Sequence, residues 1–181
     1  MQTIDLDKWK TAATPQPAER PWCYAAVLTS ISKYLIDTQI SMPDFVELAF
    51  GDRDSVQRPE WEKYMEIATK LTTTGLEYSR TGAGRRVLIY DMDCQDGVPD
   101  VLIQSEIQAR RPVICTILGG AHDVVIVGVE FEKDKITRIL YWNPSDGGTG
   151  NLSKTTFVDE LKPICVFTVN ILREQIVSDT L

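Results

Sequence analysis

The sequence predicts an α+β fold, with a helical half over about residues 1–100 and an antiparallel sheet half over about residues 101–181. Three observations carry this expectation. Residues 22–36 are apolar almost all round, as in a buried central helix. Residues 59–71 place apolar side chains at i, i+3, i+4 and i+7, the stripe of a helix packed on a core. Beyond residue 111 the chain changes to short β-branched runs, the composition of strands. At 181 residues the chain fits one domain, 1–181, that can bury a sufficient core without staples.

In chain order, residues 1–20 read as an irregular lead-in, because Pro15, Pro17 and Pro21 oppose an early helix. The central helix then runs from Trp22 to Ile36. Ser41-Met42-Pro43-Asp44 has the chemistry of a helix start for a short segment that reaches Phe50 and is closed by Gly51. The next helix begins at Pro59, with Trp61, Tyr64, Met65, Ala68 and Leu71 facing the core. Residues 72–97 are ambiguous: Arg86 to Tyr90 fits a short strand, and Thr81-Gly82-Ala83-Gly84 is loop chemistry without the Gly-Lys-Ser or Gly-Lys-Thr of a phosphate loop. Pro99-Asp100 opens a helix to about Arg110. Strands are expected at 112–118, 122–130, 136–142 and 164–171, with a short helix near 154–161 between the last two.

Composition narrows the function. A net charge of −7 gives no basic footprint for nucleic acid and repels anionic lipid, so neither is an expected partner. The N-terminal residues lack the apolar core of a signal peptide and no run approaches the ~18 apolar residues of a membrane span, which leads to the expectation of a cytoplasmic protein, or one exported by a non-Sec route. Cys23, Cys94, Cys115 and Cys165 are too sparse for a disulfide scaffold, and no Cys-x-x-Cys pair suggests zinc. They are expected to be free thiols.

One of these thiols is placed for chemistry. Cys23 stands at a helix start, where the helix dipole and unpaired N–H groups favour thiolate. Cys115 and Cys165 lie in apolar strand runs, and Cys94 is expected in an acidic loop (Asp91, Asp93, Asp96) that should raise its pKa. His122, the sole histidine, follows Gly119-Gly120 and opens a strand, so a Cys–His mechanism must use it. If 122–130 and 136–143 form a hairpin, a 131–134 loop sets Asn143 directly across from His122 and a two-residue loop sets it on the diagonal. Both registers put the two side chains on one face and turn Asp123 to the other. Asn143 can then hold the imidazole tautomer, with Asp146 in the following turn as the fallback.

Three blocks, Gln16 with Pro21-Trp22-Cys23-Tyr24-Ala25-Ala26, Gly119 to Val129, and Leu140 to Gly147, resemble those of papain-like cysteine peptidases. The order Gln, Cys, His, Asn agrees. The chain is most similar to the compact bacterial branch that includes bacteriocin-leader peptidases and secreted effector proteases. The likeness covers roughly residues 15–35 and 100–160. Two features depart from the pattern: Trp22 precedes the cysteine where members commonly place a Trp after it, and the gap from Gln16 to Cys23 is about one residue longer. The resemblance implies a papain-like fold in which a central catalytic helix packs on the C-terminal sheet. It implies Cys23 as nucleophile, His122 as base and later acid, Asn143 as orienter and Gln16 as an oxyanion donor beside the Cys23 N–H. It implies a peptide or protein substrate and no metal or organic cofactor. The same chemistry allows another thiol acyl enzyme, such as a glutamine deamidase, transglutaminase or acyltransferase, and the fold allows a non-catalytic binding module.

Overall fold

The computed structural model describes residues 1–36, 38–81 and 84–178. A two-residue strand, β1 (Gln2–Thr3), leads into helix α1 (Leu6–Ala12). This corrects the irregular lead-in expected over residues 1–20. Asp5 caps the helix by accepting the Lys8 N–H at 3.0 Å, and Trp9 and Ala12 turn into the core. The prolines lie beyond Ala13, so they follow the helix and do not prevent it.

Helix α2 (Cys23–Leu35) is buried on nearly all sides, as its composition predicts. Two of its hydroxyls are satisfied within the helix: Ser30 and Ser32 donate to the carbonyls of Ala26 and Leu28, each at 2.7 Å. Ile31 is fully enclosed, and Ile31→Ala would be expected to cost about 2–5 kcal/mol. Helix α3 (Met42–Phe50) starts and stops where the sequence predicts, with a Ser41–Asp44 capping box and Gly51 at φ 72°. Helix α4 (Trp61–Thr73) packs Tyr64, Ile67, Ala68 and Leu71 inward. Its core face is rotated from the expected stripe, because Trp61 and Met65 remain exposed.

The ambiguous stretch forms β2 (Leu76–Thr81) and β3 (Gly84–Asp96), so the short strand expected over Arg86 to Tyr90 is part of a long one. Gly82 and Ala83 of the expected loop lie outside the described residues. The first hundred residues therefore supply strands as well as helices. After them come α5 (Asp100–Gln108), β4 (Val113–Ile117), a 3-10 turn (Leu118–Gly120), β5 (His122–Glu132), β6 (Lys135–Trp142), β7 (Thr149–Ser153), α6 (Lys154–Leu161) and β8 (Cys165–Val177). The predicted strands are present, with β8 running on to Val177. β7 is additional: Thr149-Gly150-Asn151-Leu152-Ser153 carries no alternating apolar pattern.

The strands form one antiparallel sheet in the order β2-β3-β8-β4-β5-β6-β7, with β1 paired to β5. This α+β arrangement places α2 between α1 and α3 on one side and β5 and β8 on the other. The β5–β6 hairpin sets the site register. Lys133 and Asp134 both have positive φ (48° and 66°), a two-residue turn that pairs Glu132 with Lys135. Bulges add Thr137 to β6 and Val127 to β5, and the two offsets cancel, so Val125 faces Trp142. Asn143, one residue further, is thus diagonal to His122, the relation expected for a two-residue loop. Gly128 is required beside the second bulge, since a Cβ there would lie 2.8 Å from Thr3 Cγ2 of β1. Among the described residues no helix is long and apolar enough to cross a membrane.

Candidate active site

His122 is half-buried at the start of β5. Among the described residues, both hydrogen bonds of its ring use Nε2, to Asn143 Oδ1 at 2.8 Å and to Ser145 Oγ at 3.3 Å. Asn143 is itself fixed. Its N–H donates to the Gly148 carbonyl and its carbonyl accepts from the Gly147 N–H, each at 2.9 Å. Its Oδ1 also accepts the Ser145 N–H at 3.0 Å, which sets the amide orientation: the oxygen, an acceptor, faces the imidazole. Nε2 must then carry the proton, and Nδ1 keeps its lone pair. The expected pairing of His122 with Asn143 is therefore present. Asp146 lies elsewhere, with its Oδ1 accepting the Gly148 N–H at 2.8 Å inside its own turn.

Gln16 reaches this turn from the other end of the chain. Its N–H donates to the Pro144 carbonyl at 2.9 Å, and the adjoining Pro15 packs on Gly147. The Gln16 Oε1 is buried without a hydrogen-bond partner among the described residues. An unpartnered buried amide oxygen is unfavourable by about 1–3 kcal/mol. Trp22 is pinned beside the site by its indole N–H, which donates to the Ser55 carbonyl at 2.7 Å.

Cys23 occupies the first position of α2, as expected, but its chemistry in this structure differs from the expectation. Burial and then the neighbouring Asp123 carboxyl push its thiol up to about 12, outweighing the backbone N–H groups of Asp123 and Tyr24, which act the other way. Cys23 is 8% exposed, and its Sγ donates to Asp123 Oδ2 at 3.8 Å. Two unit charges about 4 Å apart repel by about 4 kcal/mol at an effective dielectric constant near 20, so one favourable helix end does not prevail. Helix position alone predicts a thiolate; burial, with Asp123 beside it, favours the neutral thiol.

The other thiols are also free. Cys115 and Cys165 are core residues, and burial raises both, Cys165 to about 12. Cys94 is in β3 and not in a loop; burial raises it first, with Asp96 and Asp93 adding to that.

Three residues of the site escape a sequence reading. Asp123 does point away from His122, as strand alternation requires, but the face it occupies is the one on which Cys23 lies. Its carboxyl is fully buried, with Oδ1 accepting from Thr116 Oγ1 at 2.8 Å and Oδ2 accepting from the Tyr64 hydroxyl as well as from Cys23. Burial holds it above the ordinary carboxylate range despite these donors. A buried Tyr hydroxyl against the same carboxylate rises too: burial and then Asp123 lift Tyr64 well above the usual phenol value. The only available signal is an acidic residue inside an otherwise apolar strand run, Val124 to Val127, where burial without a partner is costly. Among the described residues no group of three or more His, Cys, Asp or Glu is arranged to hold a metal ion.

No protein-family model matches the chain, and no curated protein is significantly similar to it.

Proposed function

We propose that the chain is a papain-like cysteine peptidase in which Cys23 is the nucleophile, His122 the base and later the acid, Asn143 the orienter and Gln16 an oxyanion donor. The observation that carries this reading is the Nε2 to Asn143 Oδ1 hydrogen bond of 2.8 Å, with Oδ1 held by Ser145 N–H. That pair fixes the one tautomer in which Nδ1 can take a thiol proton. A histidine kept only for packing has no need of an amide oxygen held in place by a separate N–H.

In this reading Nδ1 of His122 takes the Cys23 S–H proton, and the thiolate attacks the substrate carbonyl carbon. The oxyanion is met by the Cys23 N–H, which lies in the first turn of α2 where no intrahelical acceptor exists, and by the Gln16 amide. Collapse breaks the C–N bond, His122 gives its proton to the leaving amine, and a thioester remains on Cys23. Water, deprotonated by His122, attacks the thioester, releases the acid and restores the thiol.

Incubation with peptide libraries, read by mass spectrometry, tests the reading. Backbone cleavage that disappears in Cys23→Ala and in His122→Ala supports it. A gain of about one mass unit without cleavage would assign deamidation instead, and an amine adduct would assign acyl transfer. A folded protein that yields none of these and never reacts with a peptide aldehyde at Cys23 is not an enzyme of this class.

A further inference from the structure

The group in this molecule that least fits a simple Cys–His–Asn site is Asp123, a fully buried carboxyl beside the nucleophilic position. The groups that face it come from five elements. Cys23 and Tyr24 belong to α2, Tyr64 to α4, Thr116 and Cys115 to β4, and Cys165 to β8, while His122 adjoins it on β5. Arg58, in the segment before α4, acts on Cys23 from outside. Only His122 and Arg58 among these can carry positive charge, and neither hydrogen-bonds to the carboxyl among the described residues. Behind Asp123 lies a cavity of about 20 Å³ walled by Val27, Leu28, Ile67 and Phe167, with room for about one water molecule.

The carboxyl is nevertheless held in place. Thr116 fixes Oδ1, and the Tyr64 hydroxyl and the Cys23 thiol share Oδ2. The Cys23 proton is therefore directed at Asp123, while the acceptor nitrogen of His122 is the one that the Asn143 contact leaves open. An S–H donates to one acceptor at a time, and in this structure that acceptor is Asp123 Oδ2.

We propose that Asp123, fixed by Thr116 and Tyr64, is a positioning residue that parks the Cys23 sulfur as a neutral thiol in the substrate-free protein. The proposal rests on the reading of Cys23 as the nucleophile and adds how that nucleophile is controlled. A parked thiol resists oxidation and adventitious alkylation, which act on thiolate.

The test is the rate of iodoacetamide alkylation at each cysteine, followed by peptide mass mapping from pH 6 to 10 in the intact chain. In the wild type, Cys23 should react at pH 7 more slowly than the partly exposed Cys94, with a midpoint above the ~8.5 of an unperturbed cysteine. Asp123→Asn keeps the shape and removes the charge; the Cys23 midpoint should fall by at least about one pH unit and its rate at pH 7 should rise about tenfold, with Cys94 unchanged. A wild-type midpoint at or below ~8.5 overturns the proposal even if the variant does not fold. So does an Asp123→Asn profile that overlays the wild type. The two readings fail separately. Faster alkylation in Asp123→Asn without peptide cleavage by either protein would keep the thiol lock and sink the peptidase. Cleavage that needs Cys23 and His122, with an unchanged Asp123→Asn profile, would keep the peptidase and sink the lock.

Discussion

His122 and Asp123 are consecutive residues of β5, yet they stand in opposite environments. The imidazole is half-buried and meets Asn143 and Ser145 in a turn open to solvent, whereas the carboxyl is fully buried under α2 and α4. Strand alternation sends adjacent side chains to opposite faces, and α2 and α4 reach the face that Asp123 occupies. The lesson is that residue spacing separates two polar groups without revealing which one a third element will touch. Cys23, delivered by the end of α2, meets the buried member of the pair.

The comparison can be broken most sharply at the nucleophile. Cys23→Ala should reduce peptide turnover to background, a loss on the order of 10⁶-fold, with the circular dichroism spectrum unchanged. Turnover that survives would move the chemistry away from this end of β5. On the open side, Asn143→Ala should lower kcat by about two to four orders of magnitude, because the imidazole loses control of its tautomer, whereas Asp146→Ala should change it by about threefold or less. The opposite ranking would make the acidic residue of the turn the orienter.

On the buried side the readout is stability against pH. Burial holds the Asp123 carboxyl above the ordinary range, so between the unfolded value of about 3.9 and the raised folded value the native state binds a proton that the unfolded chain releases. The stability from that proton is complete below the unfolded value and is lost as pH rises through the folded one. The melting temperature of Asp123→Asn minus that of the wild type should therefore increase from pH 4 to pH 8, and a flat difference would mean that the carboxyl titrates normally. The smallest effect belongs to Ser145→Ala. It removes the 3.3 Å hydroxyl contact to Nε2 but leaves the Ser145 N–H on Asn143, so kcat should fall by about twofold to fivefold. A larger loss would give the hydroxyl a part in holding the ring.

Much of this architecture is legible because its cues are local. The buried helix beginning at Cys23, the Ser41 capping box and Gly51, and the four C-terminal strand runs each follow from composition, caps or periodicity over a few neighbouring residues. The His122–Asn143 relation is legible for the same reason, since a hairpin joined by two residues has few registers and the two bulges cancel. The β3–β8 pairing is not, because it joins residues 85–96 to 165–177 and nothing in either segment names its partner. α1 is missed because three prolines weigh on a reading of residues 1–20, although all of them follow the helix.

By itself, the sequence determined the α+β class, a helix-start cysteine, a strand-start histidine and an asparagine on the histidine's face, because each depends on spacing along one element or one short hairpin. Only the tertiary structure decided that Gln16 stands against the Asn143 turn, that Asp146 turns into its own loop, and that Thr116, Tyr64 and Cys23 converge on Asp123. Those contacts join residues more than a hundred positions apart, as between Gln16 and Pro144. The charge state of a thiol depends on what is packed within a few ångströms of it, a distance in space that separation along the chain does not encode.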